Sequence, residues 1–149
     1  MKEAGMGLWK RTPNIEAVNA RLLDGAAGQF GIRITAILSD ALQAEMTVGP
    51  QHLQPNGILH GGVSVVLSET LGTVCTVLAS PEGQTAVGIE VNANHLAMVR
   101  AGETVRAECR PMHAGRRTQV WQTEIRRADG RLACVSRLTC AVLDSGSQA

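Results

Sequence analysis

Apolar and polar positions along this chain repeat with two different periods, and the switches between them mark out its elements. After Thr12-Pro13-Asn14, a helix-start signature, Ile15, Val18, Leu22 and Leu23 recur at helical spacing until Asp24-Gly25, predicting a short amphipathic helix. Two alternating segments follow, 32–37 and 42–48, separated by Ser39-Asp40 and closed by Gly49-Pro50, the pattern of an antiparallel hairpin. From Gly62 to about Ala79 the chain is apolar on most sides, which predicts a central helix buried around nearly its whole circumference, ended by Pro81-Glu82-Gly83. Gly72 inside it costs about 1 kcal/mol of helix propensity against Ala and admits a close approach of another backbone. The remainder reads as four strands, 85–95, 103–113, 117–127 and 131–143, with Ala128-Asp129-Gly130 as a hairpin turn and residues 144–149 as a frayed tail. The order α-β-β-α-β-β-β-β defines an α+β domain in which a long, mostly antiparallel sheet covers one buried helix with its concave face. No linker or internal repeat divides it, so residues 1–149 are read as a single domain.

Charge and composition narrow the function. With 14 Lys+Arg against 13 Asp+Glu the net charge is +1, so no bulk attraction to nucleic acid or to an anionic membrane is expected. The only aromatic residues are Trp9, Phe30 and Trp121, too few for a single-strand-binding platform, so the core must be aliphatic. Cys75, Cys109, Cys134 and Cys140 lack both a CxxC pair and a secreted-scaffold rhythm, and are expected as reduced, mostly buried thiols in a cytoplasmic protein. The N-terminus has no apolar leader, and no stretch reads as long and unbroken enough to span a bilayer.

Three features carry candidate chemistry. The first is the segment Gln54-Pro55-Asn56-Gly57-Ile58-Leu59-His60-Gly61-Gly62 running into the central helix. An open helix N-terminus offers unpaired N–H groups and partial positive charge to a carbonyl becoming an oxyanion; a merely tight loop-to-helix junction accounts for Gly61-Gly62 equally well. The second is Glu69, a carboxylate in an otherwise apolar helix, with Thr73 and Thr76 on the same face. It marks either a used carboxylate or a polar stripe at a subunit rim. His60 and Glu69 are nine residues apart, roughly 13 Å along a helix, so one reacting carbonyl cannot touch both ends within one chain. If both serve one site, a two-fold dimer with antiparallel central helices supplies them from different subunits. The third is arginine excess: eight arginines between residues 106 and 137 face only Glu108, Glu124 and Asp129. At His113-Ala114-Gly115-Arg116-Arg117 two guanidinium groups flank a turn, suited to phosphates, or simply solvated as in many hairpins. No metal-ligand spacing, GxGxxG or Walker A pattern is present, so no metal site is expected.

Gln54-Pro55-x-Gly57-x-Leu59-His60-Gly61-Gly62 followed by Glu69 resembles the hotdog-fold acyl-CoA thioesterases, in particular the hydroxybenzoyl-CoA and dihydroxynaphthoyl-CoA group that uses a glutamate. The likeness continues through 87–95, 113–116, 119–122 and 130–132, nearly the whole chain. It implies a hotdog fold and hydrolysis of an aryl- or medium-chain acyl-CoA, with Glu69 as nucleophile or general base. Gly61 N–H would be the oxyanion donor assisted by Gln54, and His60 and Thr73 would orient the water or leaving thiolate. It further implies that Gly88, His95 and the run His113, Ala114, Gly115, Arg116, Arg117 and Thr118 hold coenzyme A, with Leu96, Ala97 and Met98 bordering the substrate. Dimers of dimers with interfacial sites are implied as well. No cofactor is expected, since coenzyme A is part of the substrate. A non-catalytic acyl-CoA-binding protein of the same fold is the alternative, and a hotdog hydratase a third reading that lacks its Asp-His pair here.

Overall fold

The computed structural model describes residues 7–146. Helix α1 (Ile15–Leu22) begins at Asn14, whose side chain accepts the Ala17 N–H, and is followed by the one-turn helix α2 (Ala26–Gln29). Strands β1 (Arg33–Ile37) and β2 (Leu42–Thr47) form the expected hairpin. Helix α3 (Gly61–Leu78) is followed by β3 (Gln84–His95), β4 (Thr104–Ala114), β5 (Thr118–Arg126) and β6 (Leu132–Asp144). The strands make one antiparallel sheet in the order β1-β2-β4-β5-β6-β3, with α3 packed across β2 to β6.

The core is what this composition allows: Ile34, Leu42, Met46, Leu67, Leu71, Val105, Ile125 and Leu138 are buried between helix and sheet. Trp121, the one large aromatic within, stacks on Trp9 with ring centroids 6.0 Å apart. At Gly72 a side chain, not the backbone expected, makes the close approach: a Cβ there would lie 2.6 Å from Leu138 Cδ2. The C-terminal carbonyls of α3 are covered by the N-terminal segment, where the Lys10 and Arg11 N–H groups both donate to Leu78 O. Thr76 is buried, and its hydroxyl donates to Gly72 O.

Several expectations need correction. Helix α3 is not covered all round; Glu69 is exposed, and Val65, Val66, Thr70, Thr73 and Val74 are half-buried on the same flank. By length and composition it does qualify as a membrane span, with 18 residues of mean hydropathy 1.5, half of them buried inside the fold. Asp144 is not frayed; it closes β6 opposite Gln84, while residues 147–149 of the expected tail lie outside the described residues.

Strand β3 is an edge that pairs only with β6. It carries Ile89 61% exposed and Val87 44% exposed, and Ile89 is the extra residue of a bulge, since Gly88 faces Cys140 and Glu90 faces Thr139. A long, apolar free edge is an aggregation hazard unless something pairs with it.

All four cysteines are unpaired and buried. Burial pushes the Cys134 thiol up to about 11 and raises Cys75 and Cys140 as well. At pH 8 these three are therefore protonated, and a chromogenic disulfide reagent is expected to titrate none of them within minutes in the native protein and all of them in denaturant. Fast reaction of one of them in the native state would show that its burial is broken by local opening.

Candidate active site

The loop entering α3 is pinned from three sides. His52, in the 3-10 turn Pro50–His52, is buried; its Nδ1 accepts the Gly49 N–H at 2.7 Å, so Nε2 carries the proton and donates to Phe30 O at 2.8 Å. The His60 N–H donates to His52 O and the Leu59 N–H to Val99 O, both at 2.8 Å. Gly57, with φ +78°, allows the turn in which its N–H donates to Gln54 O. The work of His52 is to anchor this loop.

His60 is the N-cap of α3, and its Nδ1 accepts the Gly62 N–H at 2.8 Å. The Gly61 N–H has no acceptor among the described residues. Gly61 lines a cavity of about 410 Å³ together with Gln54, Ser64, His95, Leu96, Ala97 and Met98. A Cβ on Gly61 would stand 2.7 Å from His95 Nε2, so the end of β3 and the start of α3 meet at this point only because residue 61 has no side chain. An unpaired amide at a helix start beside an amide and an imidazole side chain is an arrangement that accepts a carbonyl oxygen.

The second cluster lies two turns along α3, about 12 Å by helix geometry. The Glu69 carboxylate rests over β3, where a Cβ on Gly88 would be 2.9 Å from Oε1. Gly88 thus serves Glu69 by making room for it. Thr73, one turn on, and Thr76 are hydrogen-bond partners of the Cys140 thiol, whose pKa burial raises and these hydroxyls lower. Glu69 and Thr73 border a separate depression of about 430 Å³, walled by Leu22, Ala26, Ala27, Val66 and Val74 and carrying Arg21 at its rim. The third cluster, Arg116 and Arg117, sits in the β4–β5 turn and lines a groove with Gln84 and residues 141–144. Gly115 N–H donates to Thr118 O there, and a Cβ on Gly115 would lie 2.4 Å from His113 Nε2.

One chain therefore brings Gln54, Gly61 and His95 together, with 96–98 beside them, and Glu69 together with Thr73 and Gly88. It does not bring the two groups into one cavity. Among the described residues no cluster of three His, Cys, Asp or Glu side chains could hold a metal ion.

The sheet wrapped on a single long helix, with the helix entrance and a mid-helix carboxylate as its polar features, defines a hotdog-fold thioesterase. The profile of the Thioesterase superfamily matches residues 56–134. The chain is 47% identical over 136 residues to the 1,4-dihydroxy-2-naphthoyl-CoA hydrolase of Escherichia coli, covering 91% of this chain and 99% of that one. It is 41% identical over 136 residues to the proofreading thioesterase EntH of Cronobacter turicensis, covering 91% and 98%. A crystal structure of a thioesterase from Haemophilus influenzae superposes with a TM-score of 0.90 at 44% identity, over 95% of this chain and 98% of that one. The chain belongs to the thioesterase superfamily and is a thioester hydrolase of the hotdog fold.

Proposed function

We propose that this protein hydrolyses aryl- or medium-chain acyl-CoA thioesters to the free acid and coenzyme A, in composite sites built by two copies of the chain. The observation that carries this is the division of labour just described: an unpaired helix-start amide beside Gln54 and His95 in one depression, and Glu69 in another that contains no helix start. The free edge of β3 supports the pairing, because Gly88, under Glu69, and His95, against Gly61, lie on this same edge strand. Two β3 edges joined antiparallel about a two-fold axis would cover Val87 and Ile89 and set Glu69 of one subunit opposite Gly61 of the other. A dimer of such dimers is the proposed assembly, with two sites in each dimer.

In such a site the thioester oxygen accepts from Gly61 N–H and the Gln54 side chain, which stabilises the charge that develops as the carbonyl carbon becomes tetrahedral. Glu69 supplies the electron pair by one of two routes. Either its carboxylate attacks the carbon, giving a mixed anhydride that water then opens, or it takes a proton from a water that attacks. In both, the carbon–sulfur bond breaks, the sulfur leaves as thiolate and the acid is released. The thiolate is a good leaving group, so the chemistry calls for no cofactor. His60, occupied as a helix cap through Nδ1, acts by holding the Gly61-Gly62 amides in place, and Thr73 by bordering the acyl side. Arg116, Arg117 and the 113–118 turn are assigned to the phosphates of coenzyme A, with Leu96, Ala97 and Met98 along its pantetheine side. The unpaired buried thiols are consistent with a cytoplasmic setting.

The reading is tested by thiol release from benzoyl-, 4-hydroxybenzoyl-, phenylacetyl- and hexanoyl-CoA. Turnover of at least one, with kcat/KM in the range of about 10⁴–10⁸ M⁻¹s⁻¹ usual for enzymes, is the expected result. Tight binding of the esters with no thiol released would instead make this a non-catalytic acyl-CoA-binding protein.

A further inference from the structure

Arg21 has no role in the scheme above. It sits in the last turn of α1, is exposed, and makes no hydrogen bond or ion pair among the described residues. The face of α1 on which it stands is nonetheless fixed. Asn19, two residues earlier, clamps α1 to the sheet edge by donating to Ile34 O at 2.9 Å and accepting the Ile34 N–H at 2.8 Å. Two residues along a helix are about 200° apart, so with Asn19 turned onto β1, Arg21 is turned away from it, toward α3. There it borders the depression that holds Glu69 and Thr73, and the neighbouring one of about 520 Å³ lined by Thr73, Val77 and Glu82. Between guanidinium and carboxylate lies a stretch of wall made by Leu22, Ala27, Val66 and Val74. Although they share one depression, Arg21 and Glu69 form no ion pair, so a gap separates the two charges.

We propose that Arg21 is a specificity-determining residue, which selects acyl groups carrying an oxygen acceptor at the end remote from the thioester. This rests on the reading of Glu69 as the group that meets the thioester carbonyl. With that carbonyl at Glu69 and coenzyme A extending toward the oxyanion cavity, the acyl group is left the Glu69 depression, whose apolar wall takes its body. Its far end then arrives at a guanidinium whose donors have no partner among the described residues. A carboxylate engages that fork bidentately and a phenolic hydroxyl through one acceptor site, whereas a plain methyl or ring edge strips water from the cation without replacing it. The helix dipole at the end of α1 favours a cation there for stability alone, and the test separates the two roles.

The experiment measures kcat/KM for two matched pairs, adipoyl- against hexanoyl-CoA and 4-hydroxybenzoyl- against benzoyl-CoA, in the wild type, Arg21→Ala and Arg21→Lys. Wild type is expected to favour the acceptor-bearing member of at least one pair, and Arg21→Ala to lose about 10- to 100-fold of that preference while turnover of the plain partner does not fall. Arg21→Lys restores part of it. Preference in the first pair identifies a carboxylate as the ligand, and in the second pair alone a hydroxyl. Equal ratios in wild type and Arg21→Ala overturn the inference but leave the thioesterase reading standing. A wild type that hydrolyses none of the four overturns that reading, and the inference with it.

Discussion

Glu69→Gln is expected to lower kcat for acyl-CoA hydrolysis by about 10²–10⁴-fold, the span seen when a positioned acid–base group is removed, and more if the carboxylate is the nucleophile. The substitution keeps the shape of the side chain and removes only its basicity. Because Glu69 is exposed in the single chain and its carboxylate rests above the bare backbone of Gly88, folding is expected to change by no more than about 0.5 kcal/mol. Thiol release and a thermal melt on the same preparation check both halves. Turnover within threefold of wild type would remove Glu69 from the chemistry altogether.

The second large effect is a recovery. Gln54→Ala is expected to cost about 10²-fold by deleting one oxyanion donor, and Glu69→Gln at least as much. In a composite site the two defects belong to different subunits. Unfolding and refolding the two inactive variants together then yields mixed dimers in which one site carries both lesions and the other carries neither. Random pairing is expected to restore about a quarter of wild-type activity. The readout is activity of the mixture against each variant refolded alone, with differently tagged chains to show that mixed dimers formed. Mixed dimers without recovery would mean that Gln54 and Glu69 act within one chain.

How much of this was legible beforehand divides by the kind of information involved. The strands and the central helix were readable because each carries its own period, and their ends lie within about two residues of those expected. Helix α2 was missed because Ala26–Gln29 is too short to show any period. The segment 54–62 and Glu69 stood out as chemistry because they break local rules: two adjacent glycines at a helix start, a carboxylate on an apolar cylinder. Residues whose meaning lies in what they touch were not readable. His52 became an anchor only once Phe30 and Gly49 were brought to it, Thr76 was buried beside Cys140 of β6, and Arg21 acquired its place from the clamp at Asn19. The expectation of a helix buried all round took no account of what a single chain leaves open beside Glu69.

Leu138 touches two bare backbones at once. One of its methyl carbons would be 2.6 Å from a Cβ on Gly72, the other 3.4 Å from a Cβ on Gly88, and the Glu69 carboxylate lies beside it, 2.9 Å from that same Gly88 Cβ position. The seat of the helix and the perch of the carboxylate are thus set by one leucine and two missing side chains. A side chain gained at Gly72 must displace Leu138, and one gained at Gly88 must displace the Glu69 carboxylate, so these positions constrain one another. Drift can rewrite the acyl wall residue by residue, while the reach of the carboxylate changes only by concerted replacement.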